Sequence, residues 1–245
     1  ICSETALQDL LIENTGKTGV SIQKPVTVSG TLRNRSTHLT GGENLTLLST
    51  GTIDGDSFCG SLRVQDYEFT ADKAITGDLY ADGSMTVASG TVTASGGFRH
   101  TDEAPLTVAK DAALHVAGIT TVQNTALQLD GTLQTGSDCL LTTTTLSGSG
   151  TLRAHGDLTF GGESACGTLE LCGKLPQTVS GSALQVGTLR LNNTSRQGIT
   201  LDSALTVTET YESNGGPCTQ GSGKLNLDLS KLNTASTLLG DVHLT

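Results

Sequence analysis

Of 245 residues, 128 are Thr, Leu, Gly or Ser, and only seven are aromatic, with no Trp. Charged residues make up 16% and leave a net charge of −10. Abundant aliphatics with so little charge exclude a disordered chain. No apolar run approaches the roughly 18 residues of a membrane-crossing helix. The acidic balance argues against nucleic acid, which needs clustered Lys and Arg.

Taken from the N-terminus, the chain opens at Ile1 without a basic or apolar leader pattern, so a signal peptide is expected to be absent or removed. Residues 3–12 fit a capped amphipathic helix, but a distant match decides otherwise. Residues 9–28, DLLIENTGKTGVSIQKPVTV, align without a gap to residues 188–207, TLRLNNTSRQGITLDSALTV. Leu10/Leu189, Asn14/Asn193, Thr15/Thr194, Gly19/Gly198, Thr27/Thr206 and Val28/Val207 are identical. In the second copy Leu189, Leu191, Ile199 and Leu201 alternate with polar residues, which is a strand period. The N-terminal segment is therefore predicted to be strand.

A shorter motif recurs between these copies. Gly-Thr followed by Leu, Ile or Val begins at Gly30, Gly51, Gly90, Gly131, Gly150, Gly167 and Gly187. The spacing is close to 20 residues, with beats missing near 70 and near 110. The offset of 179 between the long copies is nine beats of 19.9. An aliphatic-Thr-apolar motif, as in Val26-Thr27-Val28 and Leu205-Thr206-Val207, precedes several beats. A unit of about 20 residues cannot bury its own apolar face, so successive units must stack. The expected fold is all-β, a parallel β-helix or β-solenoid of about 20 residues per turn and roughly 12 turns. It forms one domain over 1–245, with irregular excursions near 54–82 and 98–115. Leu, Val and Ile face inward, Thr and Ser outward, and Gly holds the corners. A pair of β-sandwich sheets also suits short strands, but would not keep register over nine repeats.

The pattern L-x-[LI]-x-N-[ST]-x-x-G-[VI]-x-[LI]-x-x-x-[LV]-T-V resembles the degenerate repeats of bacterial cell-surface and secreted β-helical proteins, the adhesin-like stalks and passenger regions. Residues 9–32 and 188–207 carry it best. The resemblance implies an extracellular or bacterial cell-surface location and a structural or adhesive task.

The two missing beats are the candidate sites. Residues 54–82 hold Tyr67, Phe69 and Tyr80 beside Asp54, Asp56, Asp66, Glu68, Asp72, Asp78 and Asp82. Such a set suits a sugar stacked on an aromatic face or a Ca²⁺ held by oxygen ligands, and equally a solvated loop whose aromatics plug the core. Residues 98–115 crowd Arg99, His100, Asp102, Glu103, Lys110 and Asp111, which fit a charged turn better than an acid–base pair. Six cysteines are too few for a disulfide scaffold. Bridged Cα atoms lie about 4.4–6.8 Å apart, and no Cys pair is one turn apart. Buried thiols are expected for most, with Cys139 and Cys166 joined through loops, or Cys2 and Cys218 joined between stacked copies, as alternatives.

No nucleophile elbow, phosphate loop, cofactor fingerprint or metal-ligand spacing occurs. The chain reads as a non-enzyme without a cofactor: a stalk, adhesin module or fibre subunit. Its partners would be further copies stacked end to end, or a host or matrix glycan or protein. The alternatives are a polysaccharide-binding or polysaccharide-cleaving β-helix centred on 54–82, and an ice-binding solenoid with Thr ladders such as 142–145 or 206–210.

Overall fold

The computed structural model describes residues 6–227 and the backbone of His243–Leu244. It is an all-β parallel solenoid of about 11 turns, each of about 19 residues. A single 3-10 turn, Gly42–Asn44, is the only helical element among the described residues. No helix there is long and apolar enough to cross a membrane.

Every strand pairing is parallel and runs from one turn to the next, with the two ladders that start at Leu10–Ile12 and Val20–Ser21 ending at Thr52–Ile53 and Leu39–Thr40. From Leu62 onward a turn has three faces. Thr91–Ala94, Ala113–Val116, Thr132–Thr135 and Thr151–Ala154 stack on the first face. Phe98–His100, Thr120–Gln123, Cys139–Thr142 and Leu158–Phe160 stack on the second. Leu106–Val108, Ala126–Leu129 and Thr145–Ser147 stack on the third. Long strands such as Leu79–Val87 and Leu184–Leu191 run across a corner and serve two faces.

Alternation decides which side chains fill the tube. Val92, Leu114, Leu133, Leu152, Leu169 and Leu189 form one inward column down the first face, all fully buried. Phe98, Phe160, Met85 and Tyr211 fill the wider parts of the core. A parallel ladder buries one face of every strand against the opposite walls, so the alternation of short apolar and polar residues suffices to specify it.

The Gly-Thr beat marks the corner that leads into the first face. Thr31 pairs with Thr52, and Thr132, Thr151, Thr168, Thr188 and Thr210 follow one another turn by turn. The two absent beats are substituted turns. Ala113 takes the Thr position between Thr91 and Thr132. Asp72 takes the corner one turn before Thr91 and accepts its N–H at 2.7 Å. Most of residues 54–82 runs as strand in register, with an exposed detour at Asp54–Asp56. Residues 98–115 likewise hold three strands, with a short loop at 101–105.

The long repeat match is structural. Asn14 and Asn193 each accept the N–H two residues on, from Gly16 and Ser195, both at 2.7 Å. Gly19 and Gly198 both have φ +66°. A Cβ on Gly198 would lie 1.8 Å from the Pro217 carbonyl oxygen, so this corner admits only glycine. Leu10–Ile12 is a strand, while residues 3–5 lie outside the described residues.

Candidate functional site

The carboxylates of this acidic chain have mechanical partners. The Oδ1 atoms of Asp66, Asp78, Asp130, Asp138, Asp157 and Asp202 accept backbone N–H groups of the next turn, from Ser84, Gly97, Ser149, Asp157, Thr178 and Ser222. Chain corners break the ladder and leave N–H donors unpaired, and a carboxylate from the turn before satisfies them with charge-assisted bonds. Asp54 pairs with Arg33, and Asp82 with Arg63. The acidic residues of 54–82 are thus spread along the rod. No group of three or more metal-ligating side chains occurs among the described residues.

The three aromatics singled out by sequence separate. Tyr67 and Phe69 point inward, are buried, and meet edge to face with centroids 4.8 Å apart. Burial keeps both from a ligand and pushes the Tyr67 hydroxyl above its ordinary pKa. Tyr80 lies between the inward Leu79 and Ala81, so it projects outward. The Arg63 guanidinium sits 5.1 Å from its ring centroid. Arg63 Nη1 donates to both Asp82 oxygens at 2.8 and 2.7 Å, and its Nε to the Glu43 carbonyl at 3.0 Å. Tyr80 donates its hydroxyl to Asp78 at 3.1 Å. Partial burial first, then the Asp78 charge, raises its pKa. With Arg99 and Thr101 these side chains line a cleft of about 290 Å³ on the second face.

The outward row here reads Thr27, Thr46, Arg63, Tyr80, Arg99, Thr121, Leu140, Thr159. Arg63, Tyr80, Arg99 and Leu140 interrupt its threonines, so this face offers no continuous flat Thr array.

Cys59, Cys139, Cys166, Cys172 and Cys218 are free thiols, and Cys2 lies outside the described residues. Cys139 packs inward on the second face and Cys166 on the third, each paired with its own neighbouring turns, so the loop disulfide between them is not formed. Burial pushes both thiols up to about 12, which keeps them protonated and inert. Cys218 is also buried, with burial raising it to about 11. Cys172 is half-buried and touches the His155 ring at 3.5 Å. Burial, then the Glu170 charge, holds its thiol at about 11, which makes it a poor nucleophile.

His100 is fully buried, with Nδ1 3.2 Å from the Ala81 carbonyl and Nε2 2.7 Å from that of Ala104. It ties the 101–105 loop to the core and has no access to a substrate. Asp102 lies 3.6 Å from His100 Nε2 and accepts the N–H groups of Gly83 and Ala104, while Glu103 is exposed.

A second concavity was not anticipated. It measures about 560 Å³ and is lined on the first face by Thr93, His115, Gln134, His155, Lys174 and Leu175. Thr93, His115 and Gln134 stand two residues after the beat threonine or its substitute, so the same period locates them. Just beyond, Arg153 Nε meets Glu170 at 2.8 Å and Arg190 Nε meets Glu212 at 3.0 Å. Burial opposes the Glu170 charge, but bonds from Asn192 and Arg153 and the charges of Arg153 and Arg190 outweigh it and lower its pKa.

Fold and surfaces define a three-sided parallel β-solenoid with shallow concavities, a further one lying near the N-terminal end between residues 10–13 and 20–26. Compared with known proteins, the chain matches no family model, no curated protein and no solved structure.

Proposed function

We propose that the chain is a non-catalytic structural or adhesive segment of a bacterial surface or extracellular protein, a stiff spacer that holds a binding surface away from its anchor. The observation that carries this reading is the turn-to-turn register, which resumes after local shifts at Asp82/Met85 and Val186/Thr188. From Leu62 onward each turn is hydrogen-bonded to the next on three faces, and the corner carboxylates reinforce the same direction. Arg63, Arg153 and Arg190 likewise pair with acids one turn on. The resemblance of residues 9–32 and 188–207 to surface-stalk repeats agrees with it.

Antibodies against the purified chain test the location. Intact source cells should label as strongly as permeabilised ones. Labelling that appears only after permeabilisation would overturn the surface reading.

A second reading has one specific observation behind it. Tyr80 is an outward aromatic in a cleft with the planar polar groups of Arg63, Asp82 and Arg99, a set suited to sugar hydroxyls and a ring face.

A further inference from the structure

The first-face groove is built from two rows. Register places Thr93, His115, Gln134 and Arg153 on successive turns. At the adjoining corner Ala117, Gly136 and His155 also follow one per turn and line the groove. From Thr93 to Lys174 the groove crosses five turns, which at about 4.8 Å per step is roughly 20 Å along the rod axis.

Its charge is opposite to that of the molecule. The chain carries −10, yet no Asp or Glu lines the groove. Lys174 is exposed, two histidines line the walls, and the Arg153 charge reaches His115, where after burial it is the second cause of a lowered pKa. The neighbouring Glu170 is occupied by Arg153 and Asn192. Asp138 and Asp157, on the following corner, accept backbone amides. Leu175, 74% exposed, adds an apolar shelf at the last of the five turns.

We infer that this groove binds a linear acidic polysaccharide of the uronate type, laid along the rod. The missing carboxylates select an anionic ligand, and the axial course selects a linear one. An acidic peptide fits less well. The strand backbones beneath are already paired on both sides, so a peptide gains no main-chain ladder. Its rise of about 3.3 Å per residue also runs out of step with rungs about 4.8 Å apart, the scale of a sugar ring. Thr93, Gln134 and the histidines supply polar contacts to hydroxyls and carboxylates, and Leu175 a surface for a ring's C–H face. The inference does not depend on the cellular location proposed above.

Affinity electrophoresis and calorimetry of the whole chain with polygalacturonate, neutral dextran and polyglutamate test it. Polygalacturonate should bind and dextran should not. Lys174→Glu should weaken binding roughly tenfold, while Lys110→Glu, the same charge change at the corner leading into the first face, should leave it unchanged. Gln134→Ala keeps the charge and should give a smaller loss, which serves if Lys174→Glu perturbs folding. No binding, equal binding of dextran, equal or tighter binding of polyglutamate, or equal losses in the two charge variants would each overturn the inference.

Discussion

Thr135 shows how closely single residues are tied to the stacking. It points into the tube, fully buried, and its hydroxyl has no hydrogen-bond partner among the described residues. Its register neighbours are Val116 and Ala154, both apolar. A buried hydroxyl without a partner costs free energy that a methyl group does not. Thr135→Val should therefore raise stability by about 1 kcal/mol in denaturant unfolding. A loss of stability would show that the hydroxyl has a partner after all. Residue roles of this kind were partly legible in the sequence. The pairs Asn14/Asn193 and Gly19/Gly198 announced the same corner nine turns apart, and they recur with the same accepted N–H bond and the same φ. The aromatics were grouped by nearness in sequence, whereas strand alternation sends Tyr67 and Phe69 in and Tyr80 out. The acids looked like a cluster because their partners lie a full turn away, as with Asp78 and Gly97 or Asp130 and Ser149.

At the scale of the element, the ladder is a row of bonded rungs, and its charged members titrate. Asp130 is lowered first by its bond from Gln128, then by the Ser149 N–H. Glu170 is lowered on balance, and His115 is lowered by burial and by Arg153. For both acids the folded state holds its proton less tightly than the unfolded one. Their stabilisation is present above the ordinary carboxylate values of 3.8 and 4.5 and is lost as pH falls through the lowered folded values. His115 acts with the same sign: below its ordinary value of 6.5 the unfolded chain takes up the proton more readily. Thermal midpoints should therefore fall in two stages on acidification, the first below the ordinary His115 value of 6.5 and the second below the ordinary carboxylate values of 4.5 and 3.8. Glu170→Gln should flatten the lower part of that decline, and a midpoint that rises on acidification would contradict these assignments. The beat itself was legible from Gly-Thr. At its two gaps Asp72 and Ala113 fill the same corner with different chemistry, so the Gly-Thr signature lapses there while the stacking continues.

For the whole molecule, the period transmits one geometry from Leu10 to Leu227. About 11 turns at about 4.8 Å make a rod of roughly 50 Å. The solenoid architecture was readable because stacking demands that each turn repeat the last. The groove was not, because it is a lapse in charge along one outward row, visible only once five turns lie side by side. A rod that grows by whole turns is the claim on which both the spacer reading and the axial groove depend. Small-angle X-ray scattering of the chain, and of a variant with two extra copies of residues 132–150 inserted in tandem after Gly150, tests it directly, since Thr132 and Thr151 stand one turn apart. The account predicts an elongated particle that lengthens by about 10 Å with no change in cross-section. Growth in all dimensions, or an unchanged length, would contradict it.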